Sequence, residues 1–394
     1  MKIGSDVAGK PLVDGWAILF FVMAAIGLYG MAHVFFYGQE HSYGVTRYVS
    51  WGLLIIGYSF LVGITTGLSL LVIMSHLFGL KHVQLMERKL ILLALTTLLG
   101  GFYVIFWDLG GPFKLHILRF VVNLLPPHIE SPIWWMSVLY ALELPIIIIE
   151  IYLIFTKNHK WLLPIAIVSF LVGISAYSNM GFVFSANVAR PFWFGAYIPI
   201  FFILSSLGLG AGFGLILCYF TKRLVPALQE KLSSVSSVLE RTLFLVVLAM
   251  MFFTVWRFGT ALYSYQPEVA GAAMALLWGK LSFNFWFFQI LLGLIVPFFM
   301  LIKKPSNVGA LIAAILVIIG IFFERYNTIV AGQLVSVNSV YYNKIFYVDY
   351  TPSLPEISLF ISALGIAGLL YLIGDRILNK KFAQEVTEAE ESSH

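Results

Sequence analysis

The chain has 394 residues, of which 60% are hydrophobic and 11% charged, with a formal net charge of +5 and a mean hydropathy of +0.93. A soluble domain needs about twice that share of charge on its surface, so the composition excludes one and specifies a polytopic membrane protein. The basic residues are spread thinly over short loops without a dense patch, which excludes nucleic acid as a partner and leaves membrane lipid as the surrounding medium.

Apolar runs of about 18 residues or more predict ten transmembrane helices, near 15–36, 50–78, 89–107, 132–155, 162–184, 194–220, 242–263, 274–301, 307–329 and 355–376. The expected fold class is an all-α integral membrane protein of about ten spans. No small-residue cleavage site follows the first span, which reads as a retained helix and not a signal peptide. Lys and Arg are concentrated at the N-terminus, the even-numbered loops and the tail. The odd-numbered loops hold only Arg47, Lys114, Arg119, Arg190 and Lys344. The positive-inside rule therefore predicts a cell-membrane protein with both termini cytoplasmic.

In chain order, the first helix ends in His33 and Tyr37 at the outer face, where a lone imidazole is also read as an interfacial residue. The second is rich in Gly, Thr and Ser before Ser75-His76, a composition that permits close helix packing and supplies intramembrane hydrogen bonds. The third carries Tyr103 and leaves the membrane through Trp107-Asp108-Leu109-Gly110-Gly111-Pro112, so Asp108 is either a helix-end carboxylate or part of an outer polar site.

The fourth helix has the strongest buried-charge pattern. Glu143 and Glu150 are seven residues apart on one face, about 10 Å along the axis. Isolated in lipid neither stays ionised, which suits groups that take up and release protons; the alternative is a pair of protonated carboxyls bonded to neighbouring helices. The fifth helix ends in Tyr177-Ser178-Asn179. The seventh carries Arg257, and the eighth is read with Lys280, Asn284 and Gln289 among Trp278, Phe283, Phe285 and Trp286. These aromatic residues, with Tyr263, are expected to wall a polar pocket of the kind a quinone ring needs. The ninth helix ends in IFFERYNTIVAGQ, which puts Glu324, Arg325 and Asn327 at or just inside one bilayer face. They are read either as polar groups turned to a helix interior, with Arg325 pairing to a neighbouring helix, or as an interfacial ion pair that sets helix depth.

Cys218 is the only cysteine, so the chain can hold no iron–sulfur cluster, c-type haem or cysteine zinc site of its own. His33 and His76 lie at opposite depths, which argues against a b-type haem. A weak internal repeat groups helices 2–5 and 6–9 as two parallel four-helix bundles, with helices 1 and 10 peripheral. The corresponding segments are 15–48, 49–190, 191–330 and 331–394, all within a single membrane domain.

Six segments in order, WDLGGP at 107–112, the Glu143 helix, SNMG at 178–181, WRFG at 256–259, FNFWFFQILLGLIVP at 283–297 and ERYNTIVAGQ at 324–333, resemble the NrfD-like polysulfide reductase membrane subunits. The ten-helix variant of hydrogenase and sulfur-metabolism complexes is the most similar form. Gly111 stands where that family's D-L-G-R-P has Arg, and Ala176 where a His is usual, with Tyr177 as a substitute donor. The resemblance implies a quinone- or quinol-reactive subunit of a respiratory oxidoreductase, using menaquinone, ubiquinone or another quinone. It implies a ferredoxin-like iron–sulfur subunit on the outer face and, beyond it, a molybdopterin, nickel–iron or multihaem catalytic subunit. Quinone contacts are expected among His33, Tyr37, Tyr103, Asp108, Glu143, Tyr177, Asn179, Arg257 and Asn284. A proton path is expected through His76, Glu150, Glu143, Glu324 and Arg325. The partner platform is expected on loops 108–131 and 330–354, with Trp107, Lys114, Arg119, Tyr341, Tyr342 and Tyr347. A secondary transporter and a passive anchor of a redox complex are the competing readings.

Overall fold

A computed structural model describes residues 11–77, 79, 81–114, 124–156, 158–264, 266–336 and 345–391. Among them, ten helices are long and apolar enough to cross a membrane: α1 (Pro11–Tyr37), α2 (Leu53–Leu77), α3 (Glu87–Asp108), α4 (Pro132–Phe155), α5 (His159–Ser185), α6 (Tyr197–Leu224), α7 (Gln229–Leu262), α8 (Asn284–Ile302), α9 (Asn307–Leu334) and α10 (Leu354–Glu391). Successive helices run in opposite directions. The described parts of the connections after α1, α3, α5, α7 and α9 therefore share one face, where Tyr43 meets Trp107, Arg190 meets Tyr48 and Lys280 meets Asp349, and the short connections share the other.

Helix ends follow local chemistry. Ser131 caps α4, its Oγ accepting from Trp134 N at 3.4 Å with Pro132 in the first turn, and Ser306 caps α9 by accepting from Gly309 N at 3.1 Å. The apolar residues of α1 point mostly outward, as lipid requires. By contrast α2 is buried on every side, in contact with α3, α5, α6, α9 and α10. Its glycines make this possible: a Cβ on Gly67 would overlap the Ser206 carbonyl of α6, and one on Gly63 would overlap the Tyr177 hydroxyl.

Neighbour contacts run α2–α3, α3–α4, α4–α5 and α5–α2 among the earlier helices, and α6–α7, α7–α8, α8–α9 and α9–α6 among the later ones. The α2–α6, α5–α6 and α2–α9 contacts join the two sets, while α1 packs on α10 and α10 on α3. Three spans differ from the sequence expectation. The eighth does not start at 274: an eleven-residue helix, Pro267–Leu277, stops at Trp278–Phe283, and the span proper begins at Asn284 as a twelve-residue π-helix before turning α-helical at Val296. The seventh starts thirteen residues earlier than expected, which places Lys231 and Arg241 on the helix and not in a loop. The ninth continues to Leu334, so Glu324 lies ten residues, about 15 Å, before its end.

Candidate functional site

Two groups of buried polar side chains occupy the helix interior. The larger centres on α9. Arg325, with none of its surface exposed, donates Nη1 to Glu324 Oε2 and Nη2 to Ser205 Oγ on α6 and to Tyr177 OH on α5 at 3.4 Å; its guanidinium lies 3.6 Å from the Phe202 ring centroid. Tyr177 passes the contact on by donating to Ser59 O of α2 at 2.9 Å. On the other side, Thr328 Oγ1 donates to Glu324 Oε1 at 2.8 Å and accepts from Arg257 Nη1 of α7 at 2.7 Å. Arg257 itself lies 3.8 Å from Glu324 Oε1, with the Phe192 and Tyr197 rings 4.4 and 4.5 Å from its guanidinium carbon. One hydrogen-bonded chain thus ties α2, α5, α6, α7 and α9 together. Arg325 pairs within its own helix as well as across helices, and this shared use compensates charges that lipid would otherwise expel.

Above this network α9 is fastened at its end. Gln333 accepts from Trp51 N at 3.0 Å and donates to Trp51 O at 2.9 Å, while Trp193 stacks on Trp51 and donates Nε1 to Thr328 O at 2.8 Å. Arg190 donates to the Gln333 and Val335 carbonyls, both at 3.2 Å, and so satisfies the terminal acceptors of the helix.

The second group lies between α2, α4 and α5 and is bonded far less completely. Glu143 is 2% exposed, and neither of its carboxyl oxygens has a hydrogen-bond partner among the described residues. Tyr140 OH, one turn away on α4, also lacks one; its ring is 6.0 Å from that of Tyr58. Deeper in, Glu150 Oε2 accepts from Ser169 at 2.8 Å, but Glu150 Oε1, Thr66 Oγ1 and Ser69 Oγ have no partner there. Buried polar atoms are seldom left in this state, and unbonded ones point to bound water or ligand.

A third cluster holds the long-loop face together. Glu356 accepts from Gly44 N at 2.8 Å, Ser353 N at 2.9 Å and Tyr350 OH at 2.9 Å, closing the N-terminus of α2. Tyr43 OH donates to Trp107 O at 2.9 Å, and Gln39 Nε2 to Asp108 O at 2.9 Å. Burial, followed by the nearby Asp108 carboxyl, raises the Tyr43 pKa, and burial beside Glu356 raises that of Tyr350. Both phenols stay protonated and donate at any working pH.

The expected site residues divide among these places. Tyr177 and Arg257 join Glu324 and Arg325 in the α9 network. Glu143 and Glu150 define the second group. His33 Nδ1 lies 2.8 Å from Ser42 Oγ, with the Tyr37 ring 4.7 Å from its own, and Tyr103 OH lies 3.1 Å from Ser362 Oγ at the α1–α3–α10 junction, one turn from Asp108. Asn179 donates to Pro132 O at 2.9 Å, and Asn284 opens the π-helix. At the short-loop end, His76 Nε2 lies 3.0 Å from Glu87.

Of the expected aromatic wall only Phe285 is buried. Trp278, Phe283, Trp286 and Tyr263 are exposed, because the helix break turns that stretch outward, and Lys280 pairs with Asp349 at the protein surface instead of in the helix interior. Arg119, Tyr341 and Tyr342 lie outside the described residues. Sequence reasoning missed Ser205, Thr328, Tyr140 and Tyr58. Tyr140 and Thr328 left a trace, three residues from Glu143 and four from Glu324 on the same helix faces.

A ten-span all-helical membrane protein with charged groups buried between helices defines a class, and sequence comparison narrows it. Residues 41–338 match the family model described as polysulphide reductase, NrfD, and the chain belongs to that family. It is 23% identical to a selenate reductase subunit of Mesobacillus selenatarsenatis over 90% of this chain and 92% of that one. It is also 23% identical to an Hdr-like menaquinol oxidoreductase integral membrane subunit of Archaeoglobus fulgidus, over 92% and 93%. Protein NrfD of Escherichia coli is 25% identical over 72% of this chain and 95% of its own.

Proposed function

We propose that the chain is the quinone-reactive membrane subunit of a multi-subunit oxidoreductase, passing electrons between the membrane quinone pool and an iron–sulfur partner that docks on the long-loop, outer face. A catalytic subunit lies beyond that partner, and both termini of the chain are cytoplasmic. The observation that carries the reading is Glu143, a fully buried carboxyl bonded at neither oxygen, beside the unbonded Tyr140 hydroxyl. The family match and the menaquinol-oxidoreductase relative support it. Tyr58, Tyr140 and Glu143 would hold the ring head. A quinone supplies two-electron, two-proton chemistry, and a desolvated carboxyl with no partner fixing its charge is suited to exchange those protons.

The same groups suggest a route for protons. Thr66, Ser69 and Glu150 continue the unbonded atoms of Glu143 toward the short-loop face, where His76 and Glu87 stand. Intervening waters bridge the step of about 10 Å from Glu143 to Glu150. Quinol turnover of the purified native complex with Glu143→Gln tests the reading. Turnover should fall by about 10²-fold or more with assembly intact. Unchanged turnover would reduce the chain to an anchor.

A further inference from the structure

The buried glycines of the spanning helices sit where a neighbour leaves little or no space for a side chain, with one exception. Gly67 meets Gly210, Gly293 meets Gly320, and a Cβ at Gly332 would overlap the Trp193 ring. Gly173, buried on α5, is the exception. Among the described residues, the only atom outside its own helix that its Cβ would meet within 4 Å is Glu143 Oε1, at 3.7 Å, an ordinary contact distance. Its backbone is regular α-helix, in which glycine is a weak former. Neither packing nor conformation therefore calls for glycine at 173. What glycine leaves there is room of about the size of a methyl group, bounded by a buried carboxyl that is bonded at neither oxygen.

Such a space takes a water molecule when a second polar group reaches it. The register between α2 and α5 supplies one. These helices run antiparallel, and the Tyr177 hydroxyl packs on Gly63 while donating to Ser59 O. Thr66 follows Gly63 by three residues down α2, and Gly173 precedes Tyr177 by four on α5, so the two lie side by side within about one turn. Ser59, Gly63 and Thr66 share the α5-facing side of α2, and Thr66 Oγ1 is buried without a partner among the described residues. One turn further along α5, Ser169 donates to Glu150 Oε2 and leaves Glu150 Oε1 unbonded. We propose that Gly173 is a positioning residue, leaving room on α5 for a water molecule that bonds Glu143 Oε1 and Thr66 Oγ1, and that Glu143 exchanges its proton toward Glu150 through this water. The water gives a proton to Oε1 as it takes one from the next hydrogen-bonded group on the Glu150 side, so no net charge is left between the helices. Glu143 Oε2, farther than 4 Å from the Gly173 position, is left to meet the ring head. Proton exchange through the water rests on the route proposed above, whereas its place rests on geometry alone.

Infrared difference spectra of the purified native complex, recorded across a pH titration, test it through the C=O stretch of protonated Glu143, the band that Glu143→Gln removes. Gly173→Ala puts a methyl where the water binds. The band should then move to higher frequency as its hydrogen bond is lost, and quinol turnover should fall about tenfold, the rate equivalent of one such bond. Gly173→Ser, whose hydroxyl stands in for the water, should return the band toward its wild-type position. Thr66→Val removes the second partner at nearly constant size and should shift the band in the same direction, which decides the matter if Gly173→Ala does not assemble. An unmoved band in Gly173→Ala, or in Thr66→Val where that variant stands alone, would overturn the proposal. So would equal shifts in Gly173→Ala and Gly173→Ser, or no Glu143 band at any pH. The quinone reading fails separately: unchanged turnover in Glu143→Gln, with the band shift still present in Gly173→Ala, would remove the redox role and keep the bound water.

Discussion

Glu143 and Glu324 are both carboxyls buried to within 2% in the same membrane protein, yet they are handled oppositely. Glu324 receives bonds from Arg325 and Thr328 and an ion pair from Arg257, so its charge is held in place by three side chains. Glu143 receives none among the described residues. A saturated carboxylate is part of the scaffold, because any change in its protonation strands its partners. An unbonded one is free to change state, since nothing around it depends on its charge. The contrast is one of bonding: the α9 network saturates its carboxylate, whereas the group between α2, α4 and α5 leaves carboxyl oxygens without partners among the described residues.

Substituting the same residue type in both places sharpens this. Glu324→Gln should be the most damaging change, costing about 3–5 kcal/mol, because it leaves two facing guanidiniums without their carboxylate. Denaturant unfolding in detergent reads the loss, and adding Arg257→Gln should recover part of it by restoring the original net charge. A Glu324→Gln variant as stable as wild type would end the distinction between the two regions. Glu143→Gln should change stability by less than about 1 kcal/mol, since no bond is lost, while quinol turnover in the complex drops about 10²-fold. Were the two effects reversed, with stability lost and turnover kept, Glu143 would be structural after all.

Smaller effects test the packing that supports each side. A Cβ at Gly320 would overlap Gly293 of the π-helical span. Gly320→Ala should therefore cost about 1–3 kcal/mol by overpacking, and it should loosen α8, seen as faster hydrogen exchange over Asn284–Ile295. At the bottom of the scale, Lys280→Ala removes a solvent-exposed pair with Asp349. It should shift stability by less than about 1 kcal/mol at low salt and by nothing measurable at high salt. A larger loss would mean that Lys280 belongs to the interior after all.

Much of this is legible in the sequence. Ten apolar runs, the family motifs and the outlying charges at Glu143, Glu150, Arg257, Glu324 and Arg325 all appear there, because burying charge in lipid is costly enough that each such residue marks an interior. Helix pairing, by contrast, is decided between segments far apart in the chain. Nothing near Arg325 announces Ser205, 120 residues away, and nothing near Trp51 announces Gln333, 282 away. The eighth span departs from expectation for a related reason. A largely apolar run does not show where a helix breaks, so Trp278, Phe283 and Lys280 read as interior although they are exposed.

The sequence by itself determined the membrane class, the number of spans and which side chains carry buried charge, since hydropathy and desolvation act residue by residue. Only the tertiary structure decided that Glu324 is saturated and Glu143 is not, because hydrogen-bond satisfaction depends on which helix faces which. Glycines such as Gly67 and Gly320 set those contacts by allowing backbones to touch.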